Sequence, residues 1–242
     1  MKGWPFLVAP LLCSVAVAAK PVKIVRNSSA LEFSYEWPSE AAAIPRLEKK
    51  FRAELAKAYR ESLANAREDQ KLYKEQEREG ISDFYSMEWT SAGESLRLLS
   101  LQNQLGTFTG GAHPNTSYNA LLWDRELNRE TSTGALMVSA GKFTAATRST
   151  YCRALDAERT KRREGEKLDL PEFNACPKYS DLAIAPLDRD KNGRFDALDF
   201  VASPYLAGPY AEGEYAISLP VTSKLILALK PEYRSSFEVQ RQ

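Results

Sequence analysis

The strongest constraint on this chain is a seven-residue alternation followed at once by a helical stripe. Leu31, Phe33, Tyr35 and Trp37 alternate with Glu32, Ser34 and Glu36, a period of two that puts four large apolar side chains on one face of a strand. Pro38 cannot continue a hydrogen-bonded ladder, and Ser39 suits the start of a helix. Ile44, Leu47, Phe51, Leu55, Ala58 and Tyr59 then fall on one helical face. Pro45 is acceptable only near the start of that helix, which sets where its regular part begins. A one-sided strand and a one-sided helix must each bury their apolar face against another layer.

The same reading extends down the chain. Residues 61–79 keep helical propensity but are heavily charged, so they are expected as a solvated extension or a second surface helix closed by Gly80. Lys20 to Ser29 reads as a loose polar lead-in. Phe84–Trp89 and Leu96–Leu101 flank Ser91-Ala92-Gly93-Glu94 as a hairpin, and Tyr118–Trp123 adds a strand. Phe143, Ala146, Thr150, Tyr151 and Leu155 mark a second helix. Leu182–Leu187, Phe195–Val201 and Tyr215–Leu219 mark strands, with a short apolar helix over Val221–Leu229. The order predicts an α+β fold in which a central antiparallel sheet packs against two or three helices. Residues 20–242 are expected to form a single domain, or two sub-lobes meeting near residues 125–140.

Residues 1–19 read as an export signal. Lys2 is the basic start, Trp4 to Val17 is apolar, and Ala16-Val17-Ala18-Ala19 offers small residues for cleavage. The apolar stretch is short for a membrane span, and no other segment is long and apolar enough for one. A lipoprotein reading on Cys13 fails because Leu12 stands where such signals want a small residue. The protein is therefore expected in the periplasm. Removing residues 1–19 takes one of the 33 basic residues and none of the 32 acidic ones, so the net charge drops from +1 to zero. Cys152 and Cys176 remain. Two cysteines in an oxidising compartment are expected to pair. The pair closes a loop of about 25 residues, worth roughly 3–4 kcal/mol in the chain-entropy treatment.

Composition excludes several functions. Hydrophobic residues at 43% and charged residues at 27% are globular values, not those of a disordered chain. A balanced charge removes the electrostatic case for nucleic-acid binding. One histidine cannot build a multi-histidine zinc site, and two remaining cysteines cannot build a cysteine-rich one.

Three segments carry candidate chemistry. The single histidine, His113, lies in Thr109-Gly110-Gly111-Ala112-His113-Pro114. It suits either a loop tie or a general base serving Thr109 or Ser117. The chain has neither the G-x-S-x-G nucleophile elbow nor the G-x-x-x-x-G-K-[ST] phosphate loop. The second segment spaces Asp188, Asp190, Asn192, Arg194, Asp196 and Asp199 like a calcium loop, with Asp at the twelfth position where Glu is usual. Asn192-Gly193 is equally a hairpin turn, and a hairpin loop is compatible with a calcium ion. The third segment, from Ser203 to Tyr215, sets Tyr205, Tyr210 and Tyr215 among prolines and glycines. It is either a rigid aromatic binding loop or a plug at the end of the sheet.

The Thr109-Gly110-Gly111-Ala112-His113 turn with the strand Tyr118–Asp124 resembles a known family of exported domains. So does the block Pro204-Tyr205, Gly208-Pro209-Tyr210, Gly213 and Tyr215–Pro220. The family includes the sensing region of RsiV-type anti-sigma factors and the non-catalytic region of PdaC-type peptidoglycan deacetylases, and the resemblance covers roughly residues 22–235. It implies a compact α+β domain of unknown function. In the sensor members the domain binds lysozyme; in the deacetylases a separate domain performs the metal-dependent chemistry. For this chain it implies a binding module of the cell envelope whose partner is a lysozyme-like protein or peptidoglycan; the tyrosine-rich loop and the histidine turn offer Tyr205, Tyr210, Tyr215 and His113 as the candidate binding residues. An envelope hydrolase using His113 or a carboxylate pair is the alternative, as is a calcium-stabilised structural protein.

Overall fold

The computed structural model describes residues 19–239. The export signal expected over residues 1–19, Cys13 included, lies outside them apart from Ala19. The chain runs β1 (Val22–Asn27), β2 (Leu31–Trp37), a short α1 (Ser39–Ala42), α2 (Pro45–Glu75), β3 (Asp83–Glu94), β4 (Leu98–Phe108), β5 (Asn115–Asp124) and β6 (Arg129–Thr131). It continues through α3 (Ala140–Arg162), β7 (Ala183–Leu187), β8 (Ala197–Ala202), β9 (Tyr215–Pro220) and α4 (Ser223–Ala228). This is a mixed α+β domain. A six-stranded sheet runs in the order β1-β2-β3-β4-β5-β6, and a three-stranded sheet in the order β7-β8-β9.

All neighbours are antiparallel except β2 and β3, which pair in parallel. The exception follows from the connection: α2 returns the chain to the sheet's starting end, as a parallel crossover requires. The stretch 61–79 continues α2 as a single helix of 31 residues. It stops at Gln76, before Gly80, because Glu77 adopts a left-handed φ of 52°. The expected loose lead-in is instead β1, in unbroken register with β2 from Val22↔Trp37 to Asn27↔Glu32. Only Val22 and Ile24 of this edge strand are half-buried, so its local sequence carries little signal and pairing with β2 decides its state.

The six-stranded sheet is the wall between two apolar cores. On one face Phe33, Tyr35, Trp37, Leu99, Leu101, Leu121 and Trp123 meet Leu47, Phe51 and Leu55 of α2. Phe51 stacks on Trp89 with ring centres 5.1 Å apart, an arrangement worth about 1 kcal/mol beyond the area it buries. On the other face Leu98 and Leu122 meet the second sheet and α3, including Phe143, Tyr151, Leu155, Phe200 and Ile217. Leu98 and Leu99 thus serve opposite cores, and β4 opens with four consecutive buried residues because both faces are covered. The two aliphatic side chains each contribute on the order of 2 kcal/mol by leaving water.

Cys152 of α3 and Cys176 form the expected disulfide, with Cα atoms 5.6 Å apart. It ties the charged 163–176 segment to α3. Among the described residues no helix is long and apolar enough to cross a membrane.

Candidate binding site

The β4–β5 turn is made by Gly110 and Gly111, with φ of 93° and 103°, values that L side chains adopt only under strain. A Cβ at Gly110 would stand 2.9 Å from the Tyr73 hydroxyl of α2, so the turn also rests closely on the helix. It delivers His113 to the loop between β8 and β9. The imidazole stacks on the Tyr210 ring with centres 3.6 Å apart and planes 12° apart. Nδ1 lies 2.9 Å from the Pro114 carbonyl oxygen and Nε2 lies 3.0 Å from the Tyr205 hydroxyl. The carbonyl can only accept, so Nδ1 carries the proton, and in the neutral ring Nε2 accepts from Tyr205. The Tyr205 and Tyr210 rings are 5.7 Å apart.

Tyr205 is 53% exposed and holds φ at 69°. A bulky side chain in the left-handed region costs about 1 kcal/mol or more, and here no burial offsets it. Its compensation is the bond to His113 and the place it takes in the aromatic ledge. Strain of this kind is characteristic of functional surfaces.

The ledge has a charged foundation from α3. Arg159 is buried, and donates from Nε to the Ala207 carbonyl at 2.9 Å and from Nη2 to the Ala175 carbonyl at 2.9 Å. Arg163 grips Glu212 with both ends of its fork, Nε and Nη2 each at 2.8 Å from a carboxylate oxygen. The Tyr215 hydroxyl donates to the same carboxylate. These bonds, Arg163's foremost, hold the Glu212 carboxyl below the usual range. The carboxylate lies over Gly208, where a Cβ would be 2.0 Å from Glu212 Oε2. Gly208 is thus required by packing, and the loop that presents Tyr205 and Tyr210 is rigid.

Beside the ledge, a cleft of about 230 Å³ opens between the two sheets, lined by Tyr118, Gln102, Gln104, Glu88, Asp199 and Glu214 among others. Burial, and then the neighbouring Glu214 carboxylate, push the Tyr118 phenol up to about 12. Asp199 accepts from Gln102 Nε2 at 3.0 Å and from Ser218 Oγ at 2.8 Å.

The structure sorts the sequence-derived candidates. It brings His113, Tyr205 and Tyr210 together. Tyr215 is instead buried beneath them, since Tyr215, Ile217 and Leu219 form the inward row of β9. His113 has a hydroxyl neighbour, Tyr205, but among the described hydrogen bonds none orients its ring with a carboxylate, and neither Thr109 nor Ser117 bonds to it.

The six donors of the acidic loop do not converge. Asp188 accepts from the backbone N–H groups of Asn192 and Gly193, and Asp190 from Asn192. Asp196 is buried against Arg189, whose Nε and Nη2 lie 2.9 and 2.8 Å from it. Arg194, whose backbone carbonyl the calcium pattern would use, has its side chain on the Phe237 carbonyl, and Asp199 lines the inter-sheet cleft. Residues 188–196 are a hairpin turn closed by Asp188, with Lys191 and Gly193 in left-handed conformations. Among the described residues no group of three or more His, Cys, Asp or Glu is arranged to hold a metal ion.

Arg159 and Arg163 are the site residues that sequence reading missed, because the charged run around them reads as solvated. A signal was present: Phe143, Thr147, Tyr151, Leu155 and Arg159 are the buried residues of α3 at intervals of four, so Arg159 continues a core stripe.

The two sheets and their helices together define a mixed α+β fold, with the ledge on the loop between β8 and β9. Residues 24–116, from β1 to the opening of β5, match the family described as "Deacetylase PdaC". The whole domain has the fold of DUF3298 family proteins. One of these, from Pseudomonas aeruginosa PAO1, aligns over 88% of this chain and 95% of its own with a TM-score of 0.58 and 16% identity. Another, from Bacteroides fragilis NCTC 9343, aligns over 90% and 97% with a TM-score of 0.55 and 17% identity. The family model thus covers residues 24–116, which include the Gly-Gly-Ala-His turn, and the likeness beyond them is one of fold. No curated protein sequence matches it.

Proposed function

We propose that this protein is an exported, periplasmic and non-enzymatic binding module of the cell envelope, whose partner is a lysozyme-like protein or peptidoglycan. The observation that carries this reading is Tyr205: an exposed aromatic side chain held in a strained backbone conformation and bonded to His113. Rigid aromatic surfaces bind with large contact area and little loss of rotamer freedom. The acidic and amide groups of the adjoining cleft supply polar partners at the edge of that surface. The partner classes follow from the family resemblance, and the ledge is where contact is expected.

The test is calorimetry of residues 20–242 against lysozyme and against soluble peptidoglycan fragments, with Tyr205→Ala and Tyr210→Ala in parallel. Binding of one ligand, weakened at least tenfold by each substitution, supports the proposal. Absence of binding to both ligands, or binding untouched by the substitutions, refutes it.

A further inference from the structure

The six-stranded sheet has an unfinished edge. β6 pairs with β5 only through Leu122↔Thr131, Trp123↔Glu130 and Asp124↔Arg129. The chain then leaves the sheet at Ser132, whose hydroxyl accepts from the Ala135 N–H of a 3₁₀ turn. Among the described residues, no strand lies beside the earlier part of β5, residues 116–121, on that edge.

The backbone directions along β5 can be read from its bonds. Asn119 and Arg125 turn their N–H groups toward β4. Alternation then sends the amide groups of residues 116, 118 and 120 to the open edge. Tyr118 confirms the direction by donating outward to Ser203 Oγ at 3.1 Å. The opposite wall is closed in a similar way, with Thr133 Oγ1 donating to the Ile184 carbonyl at 2.6 Å. The Ala120 N–H and the carbonyls of Tyr118 and Ala120 face outward with no strand to pair with. At about 3.3 Å per residue the open stretch is roughly 20 Å long.

These groups border a groove of about 530 Å³ that runs between Tyr118 and Ala120 on one side and Gly134, Phe143, Tyr179 and Asp181 on the other. It meets the inter-sheet cleft at Tyr118 and Ala183. Neither lining contains a lysine or arginine, whereas Asp181, Glu88, Asp199 and Glu214 all belong to them.

We propose that the open edge of β5 is a docking groove for an extended, basic peptide strand of a partner protein, which adds to the sheet in the place that β6 vacates. Unpaired strand amides and carbonyls specify an extended backbone, the mode of recognition known as strand addition. The carboxylates specify lysine or arginine side chains on the incoming strand. The groove adjoins the cleft beside the aromatic ledge, and variants of Ala120 and Tyr205 tell the two assignments apart.

The probe is a fluorescein-labelled hexapeptide of alternating lysine and valine, tested on residues 20–242 by anisotropy and by amide hydrogen exchange. Binding is expected, with exchange at Ala120 slowed at least tenfold and affinity falling with salt. Two peptides are expected to bind at least tenfold more weakly: a glutamate–valine counterpart, and the lysine–valine peptide N-methylated at alternate residues. Gly134→Trp should block the groove; an added Cβ there meets nothing within 4 Å, and circular dichroism matching the parent protein shows that the variant folds. Ala120→Pro removes the outward donor without touching the ladder to β4, and should also abolish binding. Tyr205→Ala should leave peptide binding unchanged. The proposal is overturned by no binding, by unaltered exchange at Ala120, by equal binding of the N-methylated peptide, or by loss of binding in Tyr205→Ala.

Discussion

Asp83→Asn should stabilise this protein at neutral pH and leave it unchanged in mild acid. Asp83 opens β3, donating its N–H to the Ala30 carbonyl at 2.8 Å, and is only 4% exposed. Burial, and then the neighbouring Asp69 carboxylate of α2, push its carboxyl from 3.8 up to about 6. No ion pair among the described residues neutralises either acid. A carboxyl whose folded value is raised binds its proton more tightly when folded. Its contribution to stability is complete below about pH 4 and is lost as pH rises through about 6. A rise from 3.8 to about 6 corresponds to about 3 kcal/mol at neutral pH. Asparagine keeps a donor toward Asp69 and carries no charge, so it should recover on the order of 2–3 kcal/mol above about pH 7 and almost nothing near pH 4. Urea denaturation of both proteins at about pH 4 and about pH 7.5, followed by circular dichroism, measures this. An equal effect at both pH values, or no gain at neutral pH, would refute the electrostatic account.

Three further outcomes follow from the ledge and its supports. Tyr205→Gly should leave stability unchanged or raise it by about 1 kcal/mol, because glycine accepts the positive φ, while weakening ligand binding; calorimetry and thermal melting separate the two. Gly208→Ala drives a methyl group into Glu212 and should cost about 1–3 kcal/mol, read as a lowered melting temperature with loss of ledge binding. Reducing the Cys152–Cys176 bridge should cost roughly 3–4 kcal/mol, and melting with and without reductant should show no such shift in Cys152→Ala/Cys176→Ala.

Much of the fold is legible because its signals are local. The alternation of Leu31 to Trp37, the stripe Leu47–Phe51–Leu55 and the turn at Asn192-Gly193 each depend on neighbours two to four residues apart. β1 and β6 were not legible, since an edge strand of six residues and a stub of three acquire their state from a partner strand. In the site, Gly110-Gly111 with His113, and the prolines and glycines around Tyr205 and Tyr210, mark two rigid loops. Sequence does not say that the loops meet.

The sequence alone determined the local elements of this protein: a one-sided strand and helix, the strand and helix order of an α+β fold, and a pair of cysteines 24 residues apart. Side-chain periodicity and apolar burial are properties of short segments, so they can be read without the fold. Only the tertiary structure decided which tyrosines face solvent, that Arg159 and Arg163 lie under the tyrosine loop, that Asp199 leaves the acidic loop for the cleft, and that β5 keeps an open edge. Each of these is a contact between residues tens of positions apart, and its outcome is set by which faces remain after the two cores have closed.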